Sequence, residues 1–423
     1  MKEDFLHYLW KFKYFNTLDL KTTSGESITI VNVGQYLEQA GPDFFNAQIR
    51  IDNQKWAGNV EMHLKSSDWY IHHHENDPAY ENVILHVVWE HDVAIYRSDN
   101  SIIPVLELKY YVAPKTVINY NVLRSVKSWL YCENQLAGLD QFLLRHWQER
   151  LFVERLEQKT KPISNWLTQT SSDWEAVFFW MLSQNFGLNT NGDQFFAIVS
   201  SIPFSIIRKE ASNLANIEAL LFGNAGLLDT EKEDHYFTDL KFRYTYLLQK
   251  YQLTKPILAP VQFFKHRPDN FPTIRLSQLA VLWHTHSNLF SKICATNSLD
   301  SMYQLLQVTA SPYWLDHYQF DKLSPKKNKQ LSKPFMDLLI VNTIVPIRFT
   351  YAQSHGKDNS QDLVDLLQYL SPEKNGTIDK FNYFGIATTN AFETQSLLQL
   401  KKEYCNKSKC LSCAIGIEVI KNI

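Results

Sequence analysis

Residues 41–92 read GPDFFNAQIRIDNQKWAGNVEMHLKSSDWYIHHHENDPAYENVILHVVWEHD, and this stretch decides the fold. Apolar and polar residues alternate over residues 45–51, which predicts a half-buried strand because successive strand side chains point to opposite faces. Asp52 and Asn53 supply a turn, and a second strand is expected over about residues 56–64. The stretch therefore begins with a predicted β-hairpin.

A short helix and a buried strand follow this hairpin. Asp77 and Pro78 form a typical helix start, because an aspartate caps the first amides and a proline fits the first helical position. A short helix over about residues 79–81 is therefore expected. Residues 83–89 are nearly continuously apolar, which indicates a central strand covered on both faces.

More elements are expected on both sides of this stretch. Residues 2–15 carry apolar side chains at helical spacing, which predicts an amphipathic helix, and residues 27–33 alternate weakly, as in a first strand. Residues 93–96 and 102–108 are predicted to form two strands around a turn. Pro104 places the second of these at a sheet edge, because proline cannot donate a hydrogen bond to a neighbouring strand.

The fold class predicted from this order is α+β. Residues 1–112 are expected to form a restriction-endonuclease-like mixed sheet with flanking helices, and residues 113–423 a large, mostly α-helical domain that ends in a cysteine motif. Within the helical part, Ser172 followed by Glu175 has the spacing of a capping box and predicts a helix that runs to Phe186.

The composition limits the class of protein. The chain has 423 residues, of which 45% are hydrophobic, so it can bury a large core. Its net charge of -2 excludes a basic surface over the whole molecule, and any contact with nucleic acid must be local. The sequence shows no apolar run near the about 20 residues that span a bilayer, and the N-terminal residues lack the apolar core of a signal peptide. We therefore expect a cytoplasmic protein with no membrane partner.

The second predicted strand carries a polar face. Glu61, His63 and Lys65 are expected to point the same way, because side chains at alternate positions of a strand share a face. Pro42 and Asp43 precede the first strand of the hairpin. A Pro-Asp pair followed by Glu-x-His-x-Lys on the next strand resembles the core of the PD-(D/E)XK nucleases. This resemblance covers residues 27–110.

The resemblance implies a metal site and a reaction. Asp43 and Glu61 would bind a divalent cation, Mg²⁺ or Mn²⁺, and a lysine two residues after the glutamate would help to activate water. His63 stands at that lysine position, which departs from the pattern. Lys65 lies one pleat further on the same face and is expected to supply the charge, or His63 acts as base or ligand. The proton-transfer residue is therefore either His63 or Lys65.

The function expected from these residues is metal-dependent hydrolysis of phosphodiesters in DNA or RNA. A cation held by carboxylates neutralises the anionic phosphodiester and lowers the pKa of a bound water. His63 and Lys65 would then assist proton transfer or stabilise charge in the transition state. A non-catalytic nucleic-acid-binding or protein-binding module remains an alternative, because a strand face with these residues is often only solvated.

A third alternative is a metal hydrolase that uses histidines and acts on another substrate. His72, His73 and His74 are consecutive, and three histidines of one loop rarely all bind one metal, so we expect one functional residue among them. His86 lies inside an apolar strand, where a histidine is more often a hydrogen-bonded core residue than a ligand.

The cysteines form a second candidate site. Cys405, Cys410 and Cys413 have the spacing C-x4-C-x2-C, which suits Zn²⁺ or an iron–sulfur cluster, and both take four ligands. Cys132 is the best candidate for the remote fourth ligand, since Cys294 lies in an apolar helical pattern. The layout of one early and three late cysteines also resembles that of iron–sulfur nucleases of the PD-(D/E)XK group. Three unlinked thiols remain the alternative.

Segments along the whole chain resemble a bacterial family of unknown function whose members have about this length. The segments are GPDFFNAQI, GNVEMHLKSSDW, HENDPAYENVILHVVWEHD, RPDNFPTIRLSQLA and YCNKSKCLSCAIG. This second resemblance implies little about mechanism. It includes Arg267 and Arg275, which flank a proline-containing loop and are expected either to clamp a phosphate or to fasten the loop to neighbouring helices.

Overall fold

The computed structural model describes residues 1–37, 41–125, 129–264, 266–286 and 288–422. The chain divides into two compact units. Unit 1 comprises Met1–Trp147, Tyr383–Ile386 and Leu400–Ile423, and unit 2 comprises Gln148–Asn382 and Ala387–Gln399. Strands dominate the start of the chain and helices the rest, so the predicted α+β class is confirmed.

Unit 1 is built on a mixed sheet that has six strands among the described residues. The strands are β1 Ile28–Asn32, β2 Gln35–Tyr36, β3 Phe44–Ile51, β4 Gln54–Lys65, β5 Val83–Glu90 and β6 Val105–Glu107. Their order is β1-β3-β4-β5-β6, with β2 paired to β3. The β1, β3 and β4 strands are antiparallel neighbours, whereas β5 is parallel to both β4 and β6.

The predicted hairpin and the central strand are confirmed. Ala47, Ile49 and Ile51 of β3 are buried while the residues between them are exposed, as the alternation predicts. The β4 strand pairs with β3 over the turn at Asp52 and Asn53. The first six residues of β5 are buried, in agreement with its almost continuous apolar sequence.

The connection between β4 and β5 crosses over one face of the sheet, as two parallel neighbours require. It contains the short helix α2 Asp68–Ile71 and two 3₁₀ turns, His74–Asn76 and Pro78–Tyr80. The Asp77 carboxylate accepts a hydrogen bond from the amide of Ala79 at 2.9 Å, so the predicted helix start is confirmed.

One predicted strand is wrong. Residues 93–96 form no strand; Tyr96 makes only an isolated bridge with Ile102. The next strand, β6, is shorter than expected and begins after Pro104. Its position at the end of the strand order confirms the predicted edge. Around the turn, the amide of Arg97 donates to the carbonyl of Ser101 and the amide of Ile103 donates to the carbonyl of Ile95, so the two segments pair only briefly.

Helices flank the sheet of unit 1. They are α1 Glu3–Lys11, α3 Pro114–Ser125, the start of α4 Gln141–Gln169, and α18 Ala414–Asn422. The α1 helix is shorter than the predicted 2–15 and packs against β4. The change from strands to helices follows β6, near the predicted division at residue 112. The compact unit that contains the sheet extends further, to Trp147, and also includes the end of the chain.

Unit 2 is almost entirely helical and has one large apolar core. Its helices are α5 Trp174–Phe186, α6 Leu188–Ser200, α7 Phe204–Glu210, α8 Leu214–Asn224, α9 His235–Tyr251, α10 Pro272–Thr285, α11 Leu289–Ala295, α12 Leu299–Leu306, α13 Lys333–Leu339, α14 Val345–Ser354, α15 Ser360–Gln368, α16 Gly376–Tyr383 and α17 Ala391–Gln399. A small hairpin is formed by β7 His317–Gln319 and β8 Lys322–Leu323.

The predicted capping box at Ser172 is wrong. Ser172 has a left-handed backbone with φ of 65°, whereas an N-cap needs an extended one. Asp173 caps α5 instead, because its carboxylate accepts from the amide of Ala176 at 3.1 Å. The Glu175 carboxylate accepts from the amides of Phe290 and Ser291, at 3.1 Å each.

One helical stretch is long and apolar enough to cross a membrane. It is Lys333–Ser354, in which the π-helical turn Ile340–Ile344 joins α13 to α14. Of the most apolar 18 consecutive residues in this stretch, 67% are buried inside the protein. A core helix passes the same test of length and composition, so this stretch is weak evidence for a membrane span.

Candidate metal centre

Asp43 and Glu61 lie side by side on neighbouring strands. The amide of Asp43 donates to Oε2 of Glu61 at 3.1 Å, and the amide of Met62 donates to Oδ2 of Asp43 at 3.0 Å. These two bonds are reciprocal, because Asp43 stands just before β3 and Glu61 lies on the adjacent β4. The structure thus brings together the two acids that the sequence singles out, and Glu61 is buried, with 5% of its surface exposed.

The first helix adds residues that the sequence did not single out. His7 of α1 places its Nε2 atom 3.1 Å from Oδ2 of Asp43, and its Nδ1 atom lies 3.4 Å from the hydroxyl of Tyr36. Glu3, one helical turn before His7, interacts electrostatically with Asp43 and His72. The acidic start of α1 could have been noted in the sequence, but only the packing of α1 on β4 shows where its side chains go.

Two histidines lie beside the carboxylate of Glu61, and a third contacts one of them. The Oε1 atom of Glu61 lies 3.6 Å from Nε2 of His63 and 3.5 Å from Nε2 of His74. Nε2 of His63 is also 2.9 Å from Nδ1 of His72. One ring nitrogen from each of the three histidines lies within 4.8 Å of those from the other two.

Local structure explains how this histidine cluster forms. His63 faces the site because it is two residues after Glu61 on β4. His73 has a left-handed backbone with φ of 60°, which turns the chain so that His72 and His74 both face His63. The ring of His74 stacks on Tyr80 at a centroid distance of 3.7 Å, which fixes its orientation. His73 itself is exposed, with 80% of its side chain in solvent.

His86 lies behind the cluster on β5 and is fully buried. Its Nε2 atom lies 2.8 Å from Nδ1 of His63, so the second nitrogen of His63 is left to face Glu61 and His72. The prediction of a hydrogen-bonded core histidine describes this geometry well. Such a partner behind a ligand fixes both the tautomer and the orientation of the ring.

The electrostatics favour neutral groups at this site. Burial, followed by the nearby charge of Asp43, raises the pKa of the Glu61 carboxyl to about 9, although the amide of Asp43 opposes the shift. Burial and the neighbouring histidines lower the pKa of His63 to about 2 and that of His86 to about 3. Burial also lowers the pKa of His74. Neutral imidazoles are the form that binds metals.

The donor set fits a transition metal ion. Ligand atoms around one cation at bond lengths of about 2.1 Å lie about 3.3 Å apart, close to the 3.6 Å and 3.5 Å that separate Oε1 of Glu61 from Nε2 of His63 and of His74. Nε2 of His74 is buried, and it makes no hydrogen bond to the described part of the chain. A cation would satisfy it. Imidazole and carboxylate ligands together suit Zn²⁺ or Mn²⁺ better than Mg²⁺, which prefers oxygen.

Other predicted residues lie outside this cluster. Lys65 is exposed at the end of β4, where its amide donates to the carboxylate of Asp68 at 2.9 Å. Arg275 is buried, and its guanidinium lies 3.5 Å from the centroid of the Phe335 ring and donates to Gln278. This geometry favours the fastening role over a phosphate clamp.

Comparison with known proteins gives a family and no function. A family model described as "Protein of unknown function (DUF2851)" matches residues 3–376. The chain belongs to the DUF2851 family. No curated protein matches the chain, and no solved structure matches it. The DUF2851 match includes Asp43, Glu61 and the histidine cluster, and it ends before Cys405, the first cysteine of the C-terminal motif.

Proposed function

We propose that this DUF2851 protein is a metal-dependent phosphodiester hydrolase that acts on DNA or RNA in the cytoplasm. The observation that carries the proposal is the convergence of Glu61 with nitrogens of His63, His72 and His74 beside a second carboxylate, Asp43. Metal-dependent hydrolysis of a phosphodiester needs a cation next to a group that accepts a proton from water. The histidine cluster offers ligands for the cation, and the neighbouring carboxylates offer a proton acceptor.

The roles follow from position. His63, His72 and His74 would hold one cation, and Glu61, which lies beside His63 and His74, would join them on losing its proton. The cation would polarise the phosphodiester and lower the pKa of water. Asp43, the neighbour of Glu61, would accept the proton of the attacking water.

Proton acceptance by Asp43 also depends on its other neighbours. Its Oδ2 atom accepts a hydrogen bond from the amide of Met62 and lies 3.1 Å from a ring nitrogen of His7. Together these contacts fix the carboxylate in place. His7 would then take the proton onward, because its ring is partly exposed and its other nitrogen reaches the hydroxyl of Tyr36.

The phosphodiester substrate is supported by the arrangement of the two acids. Asp43, just before β3, and Glu61, on the adjacent antiparallel strand β4, lie next to each other, in keeping with the acid pair of the PD-(D/E)XK core. His63 stands where that core has a lysine. In this proposal His63 is a metal ligand, and the exposed Lys65 meets the phosphate backbone rather than the reacting water.

Hydrolysis by the purified full-length chain tests the proposal. Single-stranded and double-stranded DNA, RNA and bis(p-nitrophenyl) phosphate are incubated with Mn²⁺, Zn²⁺ or Mg²⁺. We expect cleavage with Mn²⁺ or Zn²⁺, and a loss of about 100-fold or more in Glu61→Gln and His74→Ala. The matched control is His73→Gly, which removes an exposed histidine side chain of the same loop, suits the left-handed backbone there and should retain activity.

Two outcomes would contradict the proposal. Full activity of Glu61→Gln would remove the cluster from the reaction. Stoichiometric metal binding that depends on His74, without cleavage of any of these substrates, would keep the metal site and reject the phosphodiester substrate. Binding of nucleic acid without metal dependence would favour the non-catalytic module.

A further inference from the structure

Residues 383–386 and the C-terminal segment, residues 400–423, belong to unit 1 and contact the residues around Cys132. Nζ of Lys401 donates to the carbonyl of Trp129 at 2.8 Å and lies 4.6 Å from the centroid of its indole ring. The rings of Trp129 and Phe384 stack at 6.0 Å. A side chain in place of hydrogen on Gly385 would come within 2.7 Å of Ala137. These contacts lie on both sides of Cys132 in sequence.

The motif cysteines lie on a compact turn at the end of this segment. The amide of Cys413 donates to the carbonyl of Cys410 at 3.2 Å. A Cβ atom on Gly416 would come within 2.2 Å of that same carbonyl oxygen, so the turn is closed more tightly than any other residue would permit at this position. Helix α18 starts at Ala414 and packs against α3, where Asn119 donates to the carbonyl of Ile420 at 3.0 Å.

The four thiols lie close enough for electrostatic interaction. The thiol of Cys132 interacts electrostatically with those of Cys410 and Cys413, and the thiol of Cys405 interacts with all three others. None of the four forms a disulfide.

We propose that Cys132, Cys405, Cys410 and Cys413 bind one thiolate-ligated metal centre, either Zn²⁺ or an iron–sulfur cluster, which fastens the C-terminal segment to unit 1. Both kinds of centre take four thiolates, and the structure supplies the fourth from Cys132, more than 270 residues before Cys405. This site is separate from the histidine cluster and does not rest on the hydrolase proposal.

Metal content of the full chain tests this proposal. The protein is prepared without oxygen in a His63→Ala, His74→Ala background, so that metal at the histidine cluster does not count. We expect about one zinc per chain, or about two to four iron atoms with equal acid-labile sulfide. Cys132→Ser and Cys413→Ser should lower that content at least tenfold, whereas Cys294→Ser, which removes a cysteine of α11 in unit 2, should not.

Proteolysis gives a second measurement that needs no variant to fold. Removal of the metal from the unsubstituted chain by a chelator should speed trypsin cleavage within residues 400–423, and return of the metal should restore protection. The proposal is overturned if Cys132→Ser keeps its full metal content. It is equally overturned if the protein takes up neither Zn²⁺ nor iron with sulfide, or if metal removal leaves the cleavage rate unchanged. Zinc and iron with sulfide both support it and identify the centre.

Discussion

At the residue scale, the buried side chain of His86 orients His63, a candidate metal ligand, without binding the metal itself. It donates no atom to the cluster, yet its Nε2 atom lies 2.8 Å from Nδ1 of His63. Replacement by leucine keeps the volume of the core but removes this partner. We expect His86→Leu to weaken Mn²⁺ or Zn²⁺ binding about 10-fold to 100-fold, the usual cost of losing the partner of a metal-bound histidine.

The measurement is a metal titration with a competing chelator. His86→Gln offers a polar atom at a similar reach, so it should recover part of the affinity, which a merely structural role would not produce. A control at the same depth is Val87→Ala, which creates a cavity in the core but removes no hydrogen bond of His63. Equal metal affinity in His86→Leu and the unsubstituted protein would exclude the positioning role.

The residue scale also shows what the sequence could not reveal. Asp43 and Glu61 are singled out by the resemblance to the PD-(D/E)XK core, and alternation predicts the neighbouring strands β3 and β4 that bring them together. The approach of His74 to Glu61 depends on the crossover from β4 to β5 and on the left-handed backbone of His73. No periodic pattern encodes a single left-handed residue between two histidines, so the sequence predicts the acids and leaves the cluster undetermined.

At the scale of elements, the turn that presents His72 and His74 depends on residue 73. An L-residue in a left-handed conformation costs about 1 kcal/mol relative to glycine, and a β-branched residue costs more. We therefore expect His73→Gly to keep metal affinity and activity, and His73→Val to lower metal affinity although it removes no ligand. Metal titration and thermal unfolding of the two variants check this. Identical metal affinities would show that the turn is not needed.

A buried carboxyl links three helices of unit 2 and predicts a dependence on pH. Glu218 of α8 accepts hydrogen bonds from Ser277 of α10 at 2.6 Å and from Tyr236 of α9 at 2.7 Å. Burial raises the pKa of Glu218, and those two hydroxyls oppose the shift. A carboxyl whose pKa is higher when folded holds its proton more tightly in the folded state. Its stabilisation is therefore present below the unfolded pKa and is lost as pH rises above it.

The test compares unfolding of two variants between pH 4.5 and 8. Glu218→Gln should flatten the decline in stability with rising pH, since its amide cannot ionise. Glu218→Leu should lower the free energy of unfolding by about 1–3 kcal/mol for each hydroxyl left without a partner. A decline in Glu218→Gln as steep as in the unsubstituted protein would assign the pH dependence to other groups.

Much of the element order is predictable from the sequence, and the failures have local causes. The hairpin, the crossover turn at Asp77 and the central strand follow from alternation, capping chemistry and continuous apolar sequence. The strand expected at residues 93–96 does not form, because its pairing with the segment after the turn is limited to the bridge between Tyr96 and Ile102. Ser172 fails as a cap because its neighbour Asp173 has the extended backbone that the cap requires.

At the scale of the whole molecule, the charge of the chain limits how it can hold a nucleic acid. The formal net charge is -2, and the acidic side chains Glu3 and Asp43 lie at the candidate centre. Phosphate contacts must therefore come from a few local cations, one of which is Lys65, exposed at the end of β4. Each such contact releases condensed counterions, so the number of contacts can be counted from the dependence on salt.

We expect a shallow salt dependence for cleavage of nucleic acid. A plot of log kcat/KM against log salt concentration should have a slope no steeper than about -2, which corresponds to about two or three phosphate contacts. Lys65→Ala should reduce the steepness by about 1 if this ammonium meets a phosphate, because one contact is removed. Lys255→Ala, in unit 2, is the control and should leave the slope unchanged. A slope near -6 would require an extended basic surface, which a chain with this charge does not present, and would point to a substrate-binding partner.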